Sequence, residues 1–100
     1  MVGAFVDAIA RALAVDRSAR LQRGKLAELG RRYHSLAARE REVMVYAVKG
    51  MLNKQVADEL GTTEKAIKAH RGHIMQKMVM KSLTDLVRAA ERLGLSGHTA

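Results

Sequence analysis

Between Thr63 and Lys81 the chain carries Lys65, Lys68, Arg71, Lys77 and Lys81 against a single acid, Glu64. Ala66, Ile67, Ala69, His70, Ile74 and Met78 recur at helical spacing, and the opposite face carries Lys65, Lys68, Arg71, Gly72 and His73. Fixed cations in a row, with no nucleophile among them, are suited to holding a repeating anion, because each phosphate they neutralise releases condensed counterions. The bland reading of the same row is a solvated basic face. Bond-making chemistry has little to work with. Glu40 and Glu42 form a carboxylate pair, but no nucleophile, pocket motif or glycine-rich phosphate loop accompanies them, so they are expected to pair with Arg or Lys inside the domain. His70 and His73 have the i, i+3 spacing of two metal ligands. With no Cys and no third ligand that the sequence can place beside them, they read as packed or ligand-facing histidines, and neither a metal nor a cofactor is expected.

The elements that position these residues can be read on either side. Val56, Ala57 and Leu60 mark one face of a short helix that Asn53 is expected to cap and Gly61 to end. Thr63 suits the N-cap of the basic helix. A short helix, a glycine-containing turn and a second, basic helix make the helix-turn-helix pattern, whose second helix enters a DNA groove. The N-terminus of the first of these helices, at Asn53, Lys54 and Gln55, suits a phosphate, and Lys65 and Lys77 are further candidate phosphate contacts. Plain helix capping explains Asn53 equally well.

The remainder also reads as helix. Residues 4–33 show apolar stripes at Phe5, Val6, Ile9 and Leu13, then at Leu26, Leu29 and Tyr33, with an Arg-rich stretch between them. The expectation is one long helix anchored at both ends, interrupted by Gly30 to Ser35. Its first stripe has no evident partner within the chain, which leaves a second copy or a further domain to cover it. Residues 38–49 form the next helix, with Val43, Met44, Ala47 and Val48 buried, Arg39, Glu40, Arg41 and Glu42 at its wet end, and Ser35 as its cap. Gly50 ends it, and Met51 and Leu52 tuck the following turn into the core. Ser82 to Asp85 resembles a capping box. Leu83, Leu86, Val87, Ala90 and Leu93 then follow helical periodicity up to Gly94, and the first four divide between core and dimer seam. Residues 96–100 read as a frayed tail.

Composition sets the class. One hundred residues allow one small domain with an appendage, and three aromatic residues mean an aliphatic core. The absence of Pro favours an all-α fold. No Cys is compatible with the cytoplasm, and no apolar run approaches a membrane span of roughly 20 residues. The net charge of +8 divides into +4 over residues 1–34, +4 over 63–81 and none elsewhere. Half of it therefore lies on the basic helix and its exit.

Residues 36–95 resemble the DNA-binding domain of LuxR/FixJ-type regulators. The resemblance rests on Arg39-Glu40 with Glu42-Val43, Gly50, Asn53-Lys54-Gln55-Val56-Ala57, Leu60, Ile67-Lys68, His70-Arg71, Met75, Lys77-Met78, and Ser82-Leu83 with Asp85-Leu86-Val87. It implies a four-helix bundle at 35–95, preceded by a linker helix at 1–34 that is similar to the end of a receiver domain and its interdomain connection. It implies a non-enzymatic transcriptional regulator that binds operator DNA as a homodimer. The DNA-contacting set is then Asn53, Lys54, Gln55, Thr63, Lys65, Lys68, Ala69, Arg71, Gly72, His73 and Lys77. Within it Lys68, Ala69 and Gly72 face base edges, and Arg71 and His73 flank them. Leu83, Leu86, Val87 and Ala90 supply the dimer contact. Double-stranded DNA, a second copy and RNA polymerase are the implied partners, together with an upstream receiver and its histidine kinase where the chain is part of a longer protein, here taken as absent. The family pattern is departed from in two places. Ala37-Ala38 replaces Thr-Pro before Arg39-Glu40, removing a cap and an N1 proline. Ala66 stands where Thr is frequent. A sigma-factor-like promoter-recognition domain shares part of the pattern but does not require the helix after Ser82. A regulatory dimer that docks on acidic protein is the rival outside DNA binding.

Overall fold

A computed structural model describes residues 2–95, which form five α-helices: α1 (Val2–His34), α2 (Ala38–Val48), α3 (Asn53–Leu60), α4 (Glu64–Met78) and α5 (Leu83–Arg92). The side chain of Phe5 and the tail at 96–100 lie outside the described residues. α4 is the central element. It packs against α2, α3 and the end of α1, while α5 packs on α2. Ile67, Ile74 and Met78 of α4 meet Val43 and Met44 of α2, Val56 and Ala57 of α3, and Leu86, Ala89 and Ala90 of α5 in one aliphatic cluster. Leu29 and Leu36 close it at the α1 side. None of the described helices is long and apolar enough to cross a membrane.

The bundle is small and α1 is long, so the molecule measures 69 × 27 × 20 Å. Its radius of gyration is 19.1 Å, against about 13 Å for a compact chain of this length. Among the described residues the helix is held at its C-terminal end only. Leu29 is buried, and Tyr33 packs against the core. Arg32 reaches from α1 to the end of α4, its Nη1 donating to the Met78 carbonyl at 3.3 Å. Of the first apolar stripe, the described side chains Val6, Ile9 and Leu13 are each about half exposed. Within the chain the helix is therefore anchored at one end, and the described residues of its first stripe find no partner there, as the sequence implies.

Gly30 does not interrupt α1 as expected. A mid-helix glycine costs about 1 kcal/mol relative to alanine, whereas burying a leucine one residue earlier returns about 1.5–3 kcal/mol. The helix ends instead at Ser35, whose hydroxyl donates to the Arg32 carbonyl at 2.6 Å. Ser35 thus closes α1 rather than capping α2. The N-cap position of α2 is Ala37, with no side-chain cap. Its N–H is held by Glu40 Oε1 at 2.8 Å, half of a capping box. Glu40, placed by sequence at the wet end of α2, is buried. Leu52, expected in the core, is exposed, while its neighbour Met51 packs inward. At the far end of α4 the chain turns through Val79 at φ 56°, a left-handed conformation that a β-branched residue rarely adopts. Ser82 caps α5 as expected, its hydroxyl accepting from the Asp85 N–H at 3.1 Å.

Candidate nucleic-acid interface

The α3–α4 pair is locked by its own polar groups. Gly61 takes φ 66°, allowing the Thr62 N–H to return to the Ala57 carbonyl at 2.9 Å. Thr63 Oγ1 accepts from the Ala66 N–H at 3.1 Å and starts α4. At the start of α3 the cap is Leu52, not Asn53. Its N–H donates to Gln55 Oε1 at 2.9 Å. Asn53 is the first residue of the helix, and its Oδ1 accepts from Arg71 Nη1 at 2.8 Å. The same Arg71 nitrogen lies 3.3 Å from the Met51 carbonyl. Arg71, expected to flank the base-reading residues, is half-buried and braces α4 against the loop before α3. Its long side chain starts on the α3 side of α4, where two acceptors are within reach.

With Ile67, Ile74 and Met78 facing inward, the opposite side of α4 is bare. Lys65, Lys68, Ala69, Gly72 and Gln76 are exposed at steps of three and four, which the 100° turn per residue brings into one stripe. Gln76 was missed by the sequence reading, although its place four residues after Gly72 was a usable signal. His73 and Lys77 lie to one side of the stripe, toward α2. Lys77 Nζ is 2.7 Å from Glu40 Oε1, and His73 Nδ1 is 3.6 Å from Glu40 Oε2. The hydrogen bond from Lys77 holds the Glu40 carboxyl below the ordinary glutamate range; burial opposes this, and the Ala37 N–H adds to the lowering. Lys54 stands exposed at the start of α3.

Gly72 needs explaining. A Cβ built there meets no atom within 4 Å, so nothing in the chain requires a glycine in the middle of α4. The stripe thus combines two free lysines, an amide and a stretch of bare backbone. It is a surface that can lie against a groove edge and donate to base acceptors there, with the backbone in close approach at Gly72. It has no pocket and no nucleophile.

Residues 34–99 match the family described as bacterial regulatory proteins, luxR family. The chain belongs to that family. It is a non-enzymatic, helix-turn-helix DNA-binding domain of the kind found in transcriptional response regulators. Nodulation protein W of Bradyrhizobium diazoefficiens is 42% identical to this luxR-family chain over 94 residues, 94% of the chain and 41% of that protein. Response regulator protein TodT of Pseudomonas putida is 43% identical over 89 residues, 89% of the chain and 39% of that protein. Among solved structures, the response regulator StyR superposes with a TM-score of 0.82 at 37% identity, covering 92% of this chain and 46% of that one. Full-length FixJ from B. japonicum gives 0.69 at 35%, covering 77% and 38%. The luxR-family chain therefore spans about two fifths of the length of the relatives named first.

The dimer set divides within the domain. Leu86 and Ala90 are buried in the chain's own core, correcting their expected place at a seam. Leu83 is exposed and Val87 half-exposed, because a helix packed on α2 keeps one face outward.

Proposed function

We propose that the chain is the effector region of a two-component response regulator and binds a two-fold operator as a homodimer. The α4 stripe lies in the major groove. Lys68 donates to guanine O6 and N7, Ala69 meets a thymine methyl, Gly72 permits close approach, and Gln76 extends the reading surface by one turn. Lys65, Lys54 and the free N–H groups at the start of α3 hold phosphates and set the register. Thr63, Asn53, Gln55 and Arg71 act at one remove, fixing the turn that presents the stripe. Leu83 and Val87 form the dimer contact, and two-fold symmetry places half-sites about one helical turn apart. Residues 1–34 connect residues 35–95 to an upstream receiver addressed by a histidine kinase, and the bound dimer contacts RNA polymerase in the cytoplasm. The similarity to longer response regulators supports this arrangement.

The observation that carries the reading is Gly72, a glycine that the chain's own packing does not require, at the centre of an exposed basic stripe. Selection from a random DNA library, followed by a salt titration on the enriched sequence, tests it. A two-fold consensus is expected, with Lys68→Ala relaxing preference at one position and Lys65→Ala lowering the salt slope by about one without changing the consensus. Binding without sequence enrichment would overturn base reading and leave an electrostatic surface.

A further inference from the structure

The sequence offers His70 and His73 on one helix and no third ligand. The fold supplies one. Glu40 of α2 lies under α4, and one ligand atom each from Glu40, His70 and His73 falls within 4.8 Å of the others. The two carboxylate oxygens are differently placed. Oε1 accepts from the Ala37 N–H at 2.8 Å and from Lys77 Nζ at 2.7 Å. Oε2 faces His73 Nδ1 at 3.6 Å, beyond hydrogen-bonding distance. His70 Nδ1 is buried and has no hydrogen-bond partner. One imidazole nitrogen of each histidine and one Glu40 oxygen thus converge, and Oε1 is fixed by hydrogen bonds of the kind that orient metal-ligating carboxylates, which leaves Oε2 for an ion.

We propose that Glu40, His70 and His73 bind a borderline divalent transition metal of the zinc type, bridging α2 and the DNA-reading helix. Two imidazoles and one carboxylate make a set that zinc accepts with water in the fourth position. Tetrahedral zinc with bonds near 2.1 Å needs ligand atoms about 3.4 Å apart; His73 Nδ1 and Glu40 Oε2 are already at 3.6 Å, and adjustment of at most about 1.4 Å elsewhere in the set completes the site. The hard cations are disfavoured by the two nitrogens. Glu40 is held from α2 by its own capping bond and His70 and His73 share one helix, so the ligands come from two rigid elements. His73 is the outermost of the three, its side chain more than half exposed, and gives the ion its route in. The ammonium of Lys77 beside Oε1 sets a like charge near the ion and moderates its affinity.

The test is isothermal titration of the tag-free chain with zinc chloride near pH 7.5, with cobalt(II) absorbance reporting geometry. The expected result is one ion per chain, weakened at least tenfold by His73→Gln and unchanged by His34→Gln. Because His73 is exposed, its variant keeps the fold, which far-ultraviolet circular dichroism checks. Long-range ¹⁵N correlation of the imidazoles is expected to show both His70 and His73 changing on zinc addition. Absence of saturable binding, or binding that His73→Gln leaves within threefold of the original, would overturn the proposal. So would a site that follows His34.

Discussion

Gly72 separates what helps the fold from what helps the binding surface. At an exposed position in the middle of a helix, alanine is more stable than glycine by about 1 kcal/mol, and a Cβ at Gly72 meets nothing in the chain. Gly72→Ala is therefore expected to raise the urea midpoint by about that energy while weakening operator binding at least tenfold. If stability rises and binding is unchanged, the glycine has no role in approach to DNA. Arg71 is expected to behave in the opposite way. Arg71→Ala leaves Asn53 Oδ1 and the Met51 carbonyl without their donor, costing about 1–2 kcal/mol, with the loss visible in the absence of DNA. Glu40 supplies a pH dependence. Its carboxyl is depressed in the folded chain, chiefly by Lys77, so the unfolded chain holds the proton more tightly. The contribution of Glu40 is complete above the ordinary glutamate value and is lost as pH falls through the depressed folded value. Urea midpoints between pH 6 and pH 3 should lose part of their slope in Glu40→Gln.

At the scale of elements, helix ends decide most of what the sequence hid. The bodies of α2, α3, α4 and α5 were legible because Val43, Met44, Val56, Ile67, Ile74, Leu86 and Ala90 keep helical spacing. Gly61, Thr63 and Ser82 carried unambiguous stop and start signals. Asn53, Ser35 and Gly30 did not. Each has a local preference, but Arg71 draws the Asn53 side chain away, Ser35 bonds backward to Arg32, and the packing of Leu29 and Tyr33 overrides Gly30. Periodicity showed which α4 residues face out. It could not show that Arg71 and Lys77 are held internally, because their partners are 18 and 37 residues distant. The unassisted start of α2 suggests an improvement. Ala37 has φ −67° and ψ 158°, suited to an N-cap. Ala37→Asp should therefore stabilise the domain by about 1 kcal/mol, measured in urea, without altering DNA affinity. The α4 exit offers another. Val79 adopts φ 56° with its side chain exposed, at a cost of about 1–2 kcal/mol. Relief of that strain should exceed the added unfolded-state entropy in Val79→Gly, raising the urea midpoint modestly.

For the whole molecule, stability is distributed unevenly. The bundle shares one aliphatic cluster, whereas α1 before Leu26 contributes no buried side chain among the described residues. A helical segment without tertiary contacts is only marginally stable in water. Amide exchange is therefore expected to be faster by orders of magnitude before residue 20 than in α4, at a concentration where the chain is monomeric. Equal protection would show that a second surface covers Val6, Ile9 and Leu13.

The way α1 leaves the bundle has a mechanical consequence. Leu29, Arg32 and Tyr33 fasten one end of a rod of 33 residues, about 50 Å long at the usual helical rise, and Arg32 fastens it to the last carbonyl of the very helix that carries the basic stripe. Once a second surface covers Val6, Ile9 and Leu13 and keeps the far end helical, a rod gripped at one end is a lever. Moving its free end sideways by 4 Å turns it through about 5° over that length, and the turn arrives at Met78, where α4 ends. Whatever holds the other end therefore has a handle on the orientation of Lys68 and Gly72 without touching either. The force it must supply is smaller than the force delivered, by the ratio of the two arms.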